Sequence, residues 1–313
     1  MKVYHSIKDF AEKDRCTILT IGTFDGVHLG HQKIIQRLNR IKAEENGKTA
    51  ILTFFPHPRR VLNRGNEIKM LTTIDEKIDL LDKLGLDFLI IEPFTKEFSD
   101  LPAREFVKDL LVDQLKIKIL VIGYDHQFGK NREGDYEQMK EFGEEFGFRL
   151  EKIPVHDFEN VAISSTKIRK ALENGNIEKA NQYLGYEYFL TGEVIKGQGL
   201  GKKMSYPTIN IHISEDYKLI PKTGVYTVKT RIGKKTVFGI MNIGFRPTVD
   251  GKYQTIEVHL LDFNADLYGE NIRIRMLKRI REEKKFESLE ALTKQIRKDE
   301  ETAREWLGIK LIS

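Results

Sequence analysis

The sequence predicts an α/β domain followed by a β domain, on three observations. In the first half, short apolar runs alternate with segments of helical periodicity, which is typical of βαβ units in a doubly wound parallel sheet. From about residue 185 the pattern changes to period-two alternation without intervening helices, which favours an antiparallel β-barrel or sandwich. At 313 residues the chain also exceeds the usual size of one hydrophobic core. We therefore predict two domains, residues 1–185 and 186–313.

Four strands and four helices are predicted in the first domain. The apolar runs are CTILTIG, TAILTFF, DFLIIEP and IKILVIG, at residues 16–22, 49–55, 87–93 and 117–123. The segments with helical spacing are residues 31–45, 73–85, 101–115 and 136–147. Because ligands of such a sheet bind beyond the carboxyl ends of its strands, we expect the loops there to form a site.

Residues 165–175 and 177–185 are predicted to form two helices that precede the second domain. The alternating runs that follow are residues 188–197, 206–214, 224–244 and 253–263. The run 224–244 is typical of a hairpin whose turn contains Gly233. We predict an antiparallel β-barrel that the C-terminal helix, residues 288–308, closes.

Charge and composition limit the class of protein. The net charge of +5 and the pI near 8.9 fit binding of phosphorylated small molecules. The densest basic cluster, residues 273–285, contains glutamates, so we expect a solvated face there and no nucleic-acid binding. Cys16 is the only cysteine, which excludes an intrachain disulfide. Without an apolar run of about 20 residues or a signal-like start, we expect a cytoplasmic protein without membrane contact; no obligatory protein partner is indicated.

The stretch GTFDGVHLGH, residues 22–31, has the features of a phosphate-binding turn. Gly22 and Gly26 permit a tight bend and close backbone approach, and the helix that follows offers unpaired N–H groups. His28 and His31 are three residues apart, so on a helix they project from the same face. They could be surface or capping residues, but together with the glycines they favour a shared ligand.

A second stretch, ISSTKIR, spans residues 163–169. Ser164, Ser165 and Thr166 are good helix N-cap residues, and Thr166 and Arg169 lie one turn apart, where they can hold phosphate oxygens. Alone, the motif would be only a capping device.

Both stretches resemble signatures of the nucleotidylyltransferases, and GTFDGVHLGH matches G-x-F-D-G-x-H-x-G-H without departure. The resemblance implies that His28 and His31 stabilise charge on the α-phosphate of ATP while pyrophosphate is displaced. It implies that Arg169 and its motif hold the departing phosphates. The ATP contacts that it implies are Gly22, Thr23, Phe24, Asp25, Gly26, Ser164, Ser165 and Thr166.

The loops 54–62 and 123–135 each follow an apolar run, so we expect them on the same rim as the GTFDG turn. Most residues of such loops serve only as connections. In the adenylyltransferase domain that makes FAD, equivalent loops contain the flavin site. The flavin contacts that the resemblance implies are Phe55, His57, Pro58, Asp125 and Phe128.

The second domain has its own glycine-rich stretch, GQGLGKKMSYPTIN, residues 197–210. Its glycines permit a loop whose backbone amides approach phosphates, and Lys202 or Lys203 adds positive charge. Without further residues this would be an ordinary glycine-rich hairpin. Thr208 and Asn210 alternate along a strand, so they share a face and offer the hard oxygen ligands that suit Mg²⁺.

Glu257 lies within an otherwise apolar strand, IEVHLLDF, where a carboxylate needs a partner or a function. With the glycine-rich stretch, MNIG (residues 241–244) and IREEKKF (residues 280–286), this strand is similar to the pattern of riboflavin kinase. Lys202, Ser205 and Ile209 depart from the family's arginine, glycine and alanine.

The riboflavin kinase resemblance implies that Glu257 removes the proton of the ribityl 5′-hydroxyl, that Thr208 and Asn210 bind Mg²⁺, and that Arg281 and Phe286 contact the flavin. The ATP contacts that it implies are Gly197, Gly199, Gly201, Lys202, Pro207, Thr208 and Asn210.

The two resemblances occur in the order found in the bifunctional bacterial riboflavin kinase and FAD synthetase family. They imply Mg²⁺-dependent conversion of riboflavin and ATP to FMN and ADP, then of FMN and ATP to FAD and pyrophosphate. Two alternatives stay open. KKMS, residues 202–205, is similar to a loop of class I aminoacyl-tRNA synthetases, and a noncatalytic flavin-binding regulator could keep the fold.

Overall fold

The computed structural model describes residues 1–11, 17–62, 68–123, 135–153, 163–197, 206–248 and 251–309. The chain divides into two compact units, Met1–Ser165 and Thr166–Ser313. The first contains a parallel sheet and the second a closed antiparallel barrel, which confirms the predicted fold class. The boundary at 185 and 186 stays a prediction.

The first unit is built on six parallel strands. They are β1 (Lys2–Tyr4), β2 (Thr17–Ile21), β3 (Lys48–Phe55), β4 (Phe88–Pro93), β5 (Ile117–Ile122) and β6 (Arg149–Lys152). Their order across the sheet is β1-β4-β3-β2-β5-β6. Starting from β2, the strands β3 and β4 are added toward one edge of the sheet, and β5 and β6 toward the other edge. The topological switch point therefore lies between β2 and β5.

Helices and turns cover both faces of this sheet. They are α1 (Leu29–Glu45), α2 (Pro58–Val61), α3 (Ile74–Asp82), α4 (Lys96–Ser99), α5 (Ala103–Glu105), its π-helical continuation Phe106–Gln114, α6 (Tyr136–Phe146) and a 3₁₀ turn, Ile7–Asp9. Alternate residues of each strand enter two separate cores. Ile18 packs with Leu38 of α1, whereas Leu19 packs with Leu111 and Met139 on the opposite face.

The second unit begins at the second residue of α7 (Ser165–Glu173), and α8 (Ile177–Leu184) follows. Its strands are β7 (Phe189–Ile195), β8 (Ile209–His212), β9 (Gly224–Ile232), β10 (Lys235–Thr248), β11 (Gly251–Leu260) and β12 (Asn271–Arg281). They close in the order β10-β11-β8-β7-β12-β9. Gly233 lies in the β9–β10 turn with a φ of 58°, the left-handed conformation that glycine adopts without strain.

The expectation of a solvated face over residues 273–285 is wrong for its first part. Residues up to Arg281 belong to β12, in which Ile272, Ile274 and Met276 are buried and alternate with arginines. Over residues 272–276 the basic side chains therefore occupy one face of the strand and the apolar ones the other, and register shifts after Met276 interrupt this alternation.

The last helix, α9 (Leu289–Leu307), packs on the barrel as expected. Its Ala303 joins a core cluster with Val225, Ile240 and Leu261. Among the helices of the described residues, none is long and apolar enough to cross a bilayer.

Candidate active sites

The first site is the turn that follows β2 at the switch point of the sheet. Phe24, Gly26 and Val27 have φ values of 47°, 81° and 39°. Glycine tolerates this left-handed region, but phenylalanine and valine adopt it only when surrounding contacts hold them. The turn must therefore be fixed by its neighbours.

Asp25 supplies one of these anchors and is fully buried. Its carboxylate accepts hydrogen bonds from the backbone N–H groups of Leu71 at 3.0 Å and Thr72 at 3.3 Å. Its carbonyl oxygen accepts a hydrogen bond from Ser165 Oγ at 3.0 Å. The carboxylate of Asp25, an expected ATP contact, is thus used to hold the turn. Ser165 of the second motif contacts the same residue through its carbonyl oxygen.

His28 and His31 lie together where α1 begins. His28 is the N-cap, and its Nδ1 accepts the backbone N–H of His31 at 3.4 Å. The other ring nitrogen of a neutral His28 then has the proton. The two imidazoles are stacked with centroids 3.7 Å apart, and the Phe24 ring lies 4.8 Å from that of His31. Two ring systems are therefore presented side by side at a helix N-terminus.

Burial lowers the pKa of His31 well below its ordinary value, and the nearby His28 and Lys77 lower it further. His31 is consequently neutral at pH 7, so it can donate a hydrogen bond without being an imidazolium. Its Nδ1 is buried and has no hydrogen-bond partner among the described residues. An unsatisfied buried nitrogen is costly, which indicates a place for a ligand atom.

The glycine of HLGH has a steric role. A Cβ atom at Gly30 would lie 3.1 Å from both Cε1 and Nδ1 of His28. Only glycine at this position lets the His28 ring keep its place against the first turn of α1.

Three expected flavin contacts follow β3, which is the parallel neighbour of β2, so they lie on the same rim as the turn. Phe55 ends the strand, and its carbonyl accepts the backbone N–H of Phe94 at 3.2 Å. His57 is the N-cap of α2, with Nδ1 accepting the N–H of Arg59 at 3.1 Å, and Pro58 is the first residue of that helix.

The remaining residues of ISSTKIR lie at the start of α7. Ser164 directly precedes the helix, Thr166 is exposed, and Arg169 is buried with 9% of its surface exposed. Thr166 and Arg169 belong to the second compact unit.

The second site lies on the barrel wall around Glu257 of β11. Glu257 is directly opposite Asn210 of β8 on one side and Asn242 of β10 on the other. Opposed residues of antiparallel strands share a face, so the carboxylate lies between two amides. The apolar pattern around Glu257 predicts an isolated carboxylate, and Asn242, which is part of MNIG, is a neighbour that the sequence does not indicate.

Two glycines leave space for polar side chains near Glu257. A Cβ at Gly197 would collide with the side-chain amide of Asn210, and a Cβ at Gly244 would collide with the carboxylate of Glu283. Thr208 lies two residues before Asn210 and is partly buried. The exposed Pro207 has its carbonyl oxygen 2.9 Å from Nδ1 of His259.

Arg281 has a structural partner. Its Nε and Nη2 donate to the carboxylate of the buried Asp299 of α9 at 2.7 to 3.0 Å, and its Nη1 donates to the carbonyl of Glu282. The Phe286 ring lies 5.7 Å from the guanidinium. Arg281, an expected flavin contact, therefore also ties α9 to the barrel.

Some expected contacts lie outside the described residues. They are Asp125, Phe128, Gly199, Gly201 and Lys202. One buried lysine beside the first site, Lys77 of α3, was missed, because IDEKIDLL has the charge pattern of an ordinary surface helix.

Comparisons with known proteins define the class of each unit. The family model for FAD synthetase matches residues 10–167, and that for riboflavin kinase matches residues 184–307. The bifunctional riboflavin kinase/FMN adenylyltransferase of Escherichia coli K12 is 38% identical over 99% of both chains. That of Bacillus subtilis 168 is 39% identical over 96% of this chain and 94% of its own.

A solved structure described as a macrolide-efflux protein from Streptococcus pneumoniae is 30% identical, with a TM-score of 0.88 over 97% of this chain and 99% of that one. The chain belongs to the family of bifunctional riboflavin kinases/FMN adenylyltransferases. It phosphorylates riboflavin to FMN and adenylylates FMN to FAD, with ATP as co-substrate of both reactions. The matches support neither the aminoacyl-tRNA synthetase alternative nor the noncatalytic one.

Proposed function

We propose that adenylyl transfer takes place at the GTFDG turn, with His28 and His31 against the triphosphate of ATP. The observation that carries this assignment is the stacked pair of imidazoles at the N-terminus of α1. As the FMN phosphate attacks the α-phosphorus and pyrophosphate leaves, imidazole N–H groups and the helix N-terminus stabilise the growing negative charge.

Phe55, His57 and Pro58 are proposed to contact the flavin of FMN. Their support is their position on the strand next to the turn. A flavin held there would have its phosphate directed toward the switch point, where ligands of doubly wound sheets bind.

Riboflavin phosphorylation is proposed to depend on Glu257 as the general base. The carboxylate accepts the proton of the ribityl 5′-hydroxyl while that oxygen attacks the γ-phosphorus and ADP leaves. Its position between Asn210 and Asn242 supports this role, because amides on both sides can fix a carboxylate and hold phosphate oxygens.

Thr208 and Asn210 are proposed to hold Mg²⁺. Their hydroxyl and amide oxygens are hard donors of the kind that Mg²⁺ prefers, and Gly197 leaves space for the Asn210 amide. When bound, the ion neutralises charge on the phosphates of ATP.

Two substitutions test the residue assignments in the full-length protein. His28→Asn keeps a good N-cap acceptor but removes the imidazole, and we expect it to slow FAD formation by at least about 100-fold without changing FMN formation. Glu257→Gln keeps the size of the side chain but removes the base, and we expect a loss of about 100-fold or more in FMN formation alone.

Initial rates of riboflavin to FMN and of FMN to FAD are measured separately for each variant. Glu193→Gln, an exposed glutamate on β7, is the matched control and should change neither rate. Equal loss of both reactions in a folded His28→Asn or Glu257→Gln variant contradicts the assignments.

A further inference from the structure

Lys77 of α3 is a buried lysine that none of the roles above uses. Only 3% of its surface is exposed. A buried ammonium is costly and needs compensation, and the charge of Asp25 supplies only part of it. Its Nζ donates a hydrogen bond to the carbonyl oxygen of Thr23 at 2.7 Å.

The Thr23 carbonyl is fixed from a second direction. Thr53 Oγ1, on β3, donates to the same oxygen at 3.1 Å. The Thr23–Phe24 peptide is trans, so its N–H points away from its C=O. The Phe24 N–H is therefore directed opposite to Lys77.

The Phe24 N–H accordingly remains available. Neither it nor the Thr23 N–H donates a hydrogen bond to any of the described residues. Phe24 adopts its left-handed conformation at a cost of about 1 kcal/mol or more. Lys77 thus holds the Thr23–Phe24 peptide in a strained orientation, and the Phe24 N–H on the other side of that peptide is free to donate.

We propose that Lys77 is a positioning residue for adenylyl transfer: by holding the Thr23 carbonyl, it directs the Phe24 N–H at a phosphate of ATP. Its positive charge behind the turn also favours the anionic ligand in front of it. This inference rests on the proposed role of the GTFDG turn as the ATP site and adds a residue outside the motif.

Burial lowers the pKa of Lys77 to about 8, and Asp25 opposes part of that effect. The ammonium is therefore lost just above neutral pH in the free enzyme. Asp25 of the turn and His31 of α1 are the other titratable groups that interact with it among the described residues. Carboxyls and imidazoles ordinarily titrate below pH 8, so a change above that pH belongs to the lysine.

The test compares Lys77→Met, Lys77→Arg and the control Lys83→Met in the full-length protein. Lys83 is an exposed lysine at the end of the same helix. We expect Lys77→Met to lower kcat/KM for ATP in FAD formation by about 10- to 100-fold, mainly through KM. Lys77→Arg should recover part of this loss, and Lys83→Met should match the wild type. FMN formation by the same preparations should stay within about twofold and reports folding.

The pH profile of kcat/KM separates positioning from simple support of the fold. Wild-type FAD formation should decline above about pH 8, whereas Lys77→Arg should not, because a guanidinium stays protonated. If Lys77→Met does not fold, the comparison of the wild-type and Lys77→Arg pH profiles still tests the proposal. A folded Lys77→Met variant with wild-type kcat/KM, or identical pH profiles for lysine and arginine, overturns the proposal. Normal FAD formation by His28→Asn would instead overturn the ATP site itself.

Discussion

Gly30 shows at the residue scale how a missing methyl group positions a side chain. In the first turn of a helix, alanine is ordinarily more favourable than glycine by up to about 1 kcal/mol. Here the added Cβ would lie 3.1 Å from two atoms of the His28 ring, so the ring must move. The same substitution therefore favours the helix and disturbs the site.

We expect Gly30→Ala to slow FAD formation by about tenfold or more while FMN formation and the melting temperature do not fall. Steady-state rates and thermal unfolding of the same preparations measure this. Gln36→Ala, at an exposed position of α1, serves as the control. Full adenylyltransferase activity in Gly30→Ala would contradict the steric account.

Residues of the sites differ in how far the sequence could predict them. His28 and His31 are three apart on a helix, so their proximity follows from local geometry alone. Lys77 meets Thr23 only because α3 packs beside the turn, a contact between residues 54 positions apart. Asn242 becomes a neighbour of Glu257 only through strand register. Local periodicity contains neither of these long-range contacts.

At the scale of elements, α9 is held to the barrel by the ion pair of Arg281 and Asp299. Their side chains are 16% and 4% exposed, so removing one partner leaves a largely buried charge. We expect Asp299→Ala to lower the free energy of unfolding by about 3 kcal/mol. FMN formation should fall with it if the helix moves, and FAD formation should not.

Denaturant unfolding followed by fluorescence measures this loss, because Trp306 is the only tryptophan of the chain and lies on α9. Glu301→Ala removes an exposed pair with Arg297 on the same helix and should cost less than about 1 kcal/mol. Equal unfolding midpoints for Asp299→Ala and Glu301→Ala would show that the buried pair does not hold the helix.

The elements missed from the sequence have physical causes. The strands β1 and β6 are three and four residues long and lie at the sheet edges, too short for a periodic pattern. The strand β12 does alternate over residues 272–276, but it contains four arginines and one lysine. Its basic composition indicated a charged surface and hid the strand pattern. The central strands of the first unit are apolar, and their ends lie within one residue of the predicted ones. In the barrel, one end each of β8, β10 and β11 differs from the predicted run by three or four residues.

At the scale of the whole molecule, the two units perform consecutive reactions on one metabolite. The first unit matches FAD synthetase and the second matches riboflavin kinase, so the product of the second unit is the substrate of the first. Each reaction consumes one ATP, but the bonds broken differ: the kinase releases ADP and the adenylyltransferase releases pyrophosphate.

The most direct test of the two-step reaction is a time course with the purified protein, riboflavin, ATP and Mg²⁺. The flavins, ADP and pyrophosphate are separated and quantified at each time. We expect FMN to form first and FAD to follow, with equal amounts of ADP and pyrophosphate once all flavin is FAD. FAD without earlier FMN, FMN that is never converted, or no turnover of riboflavin would contradict it.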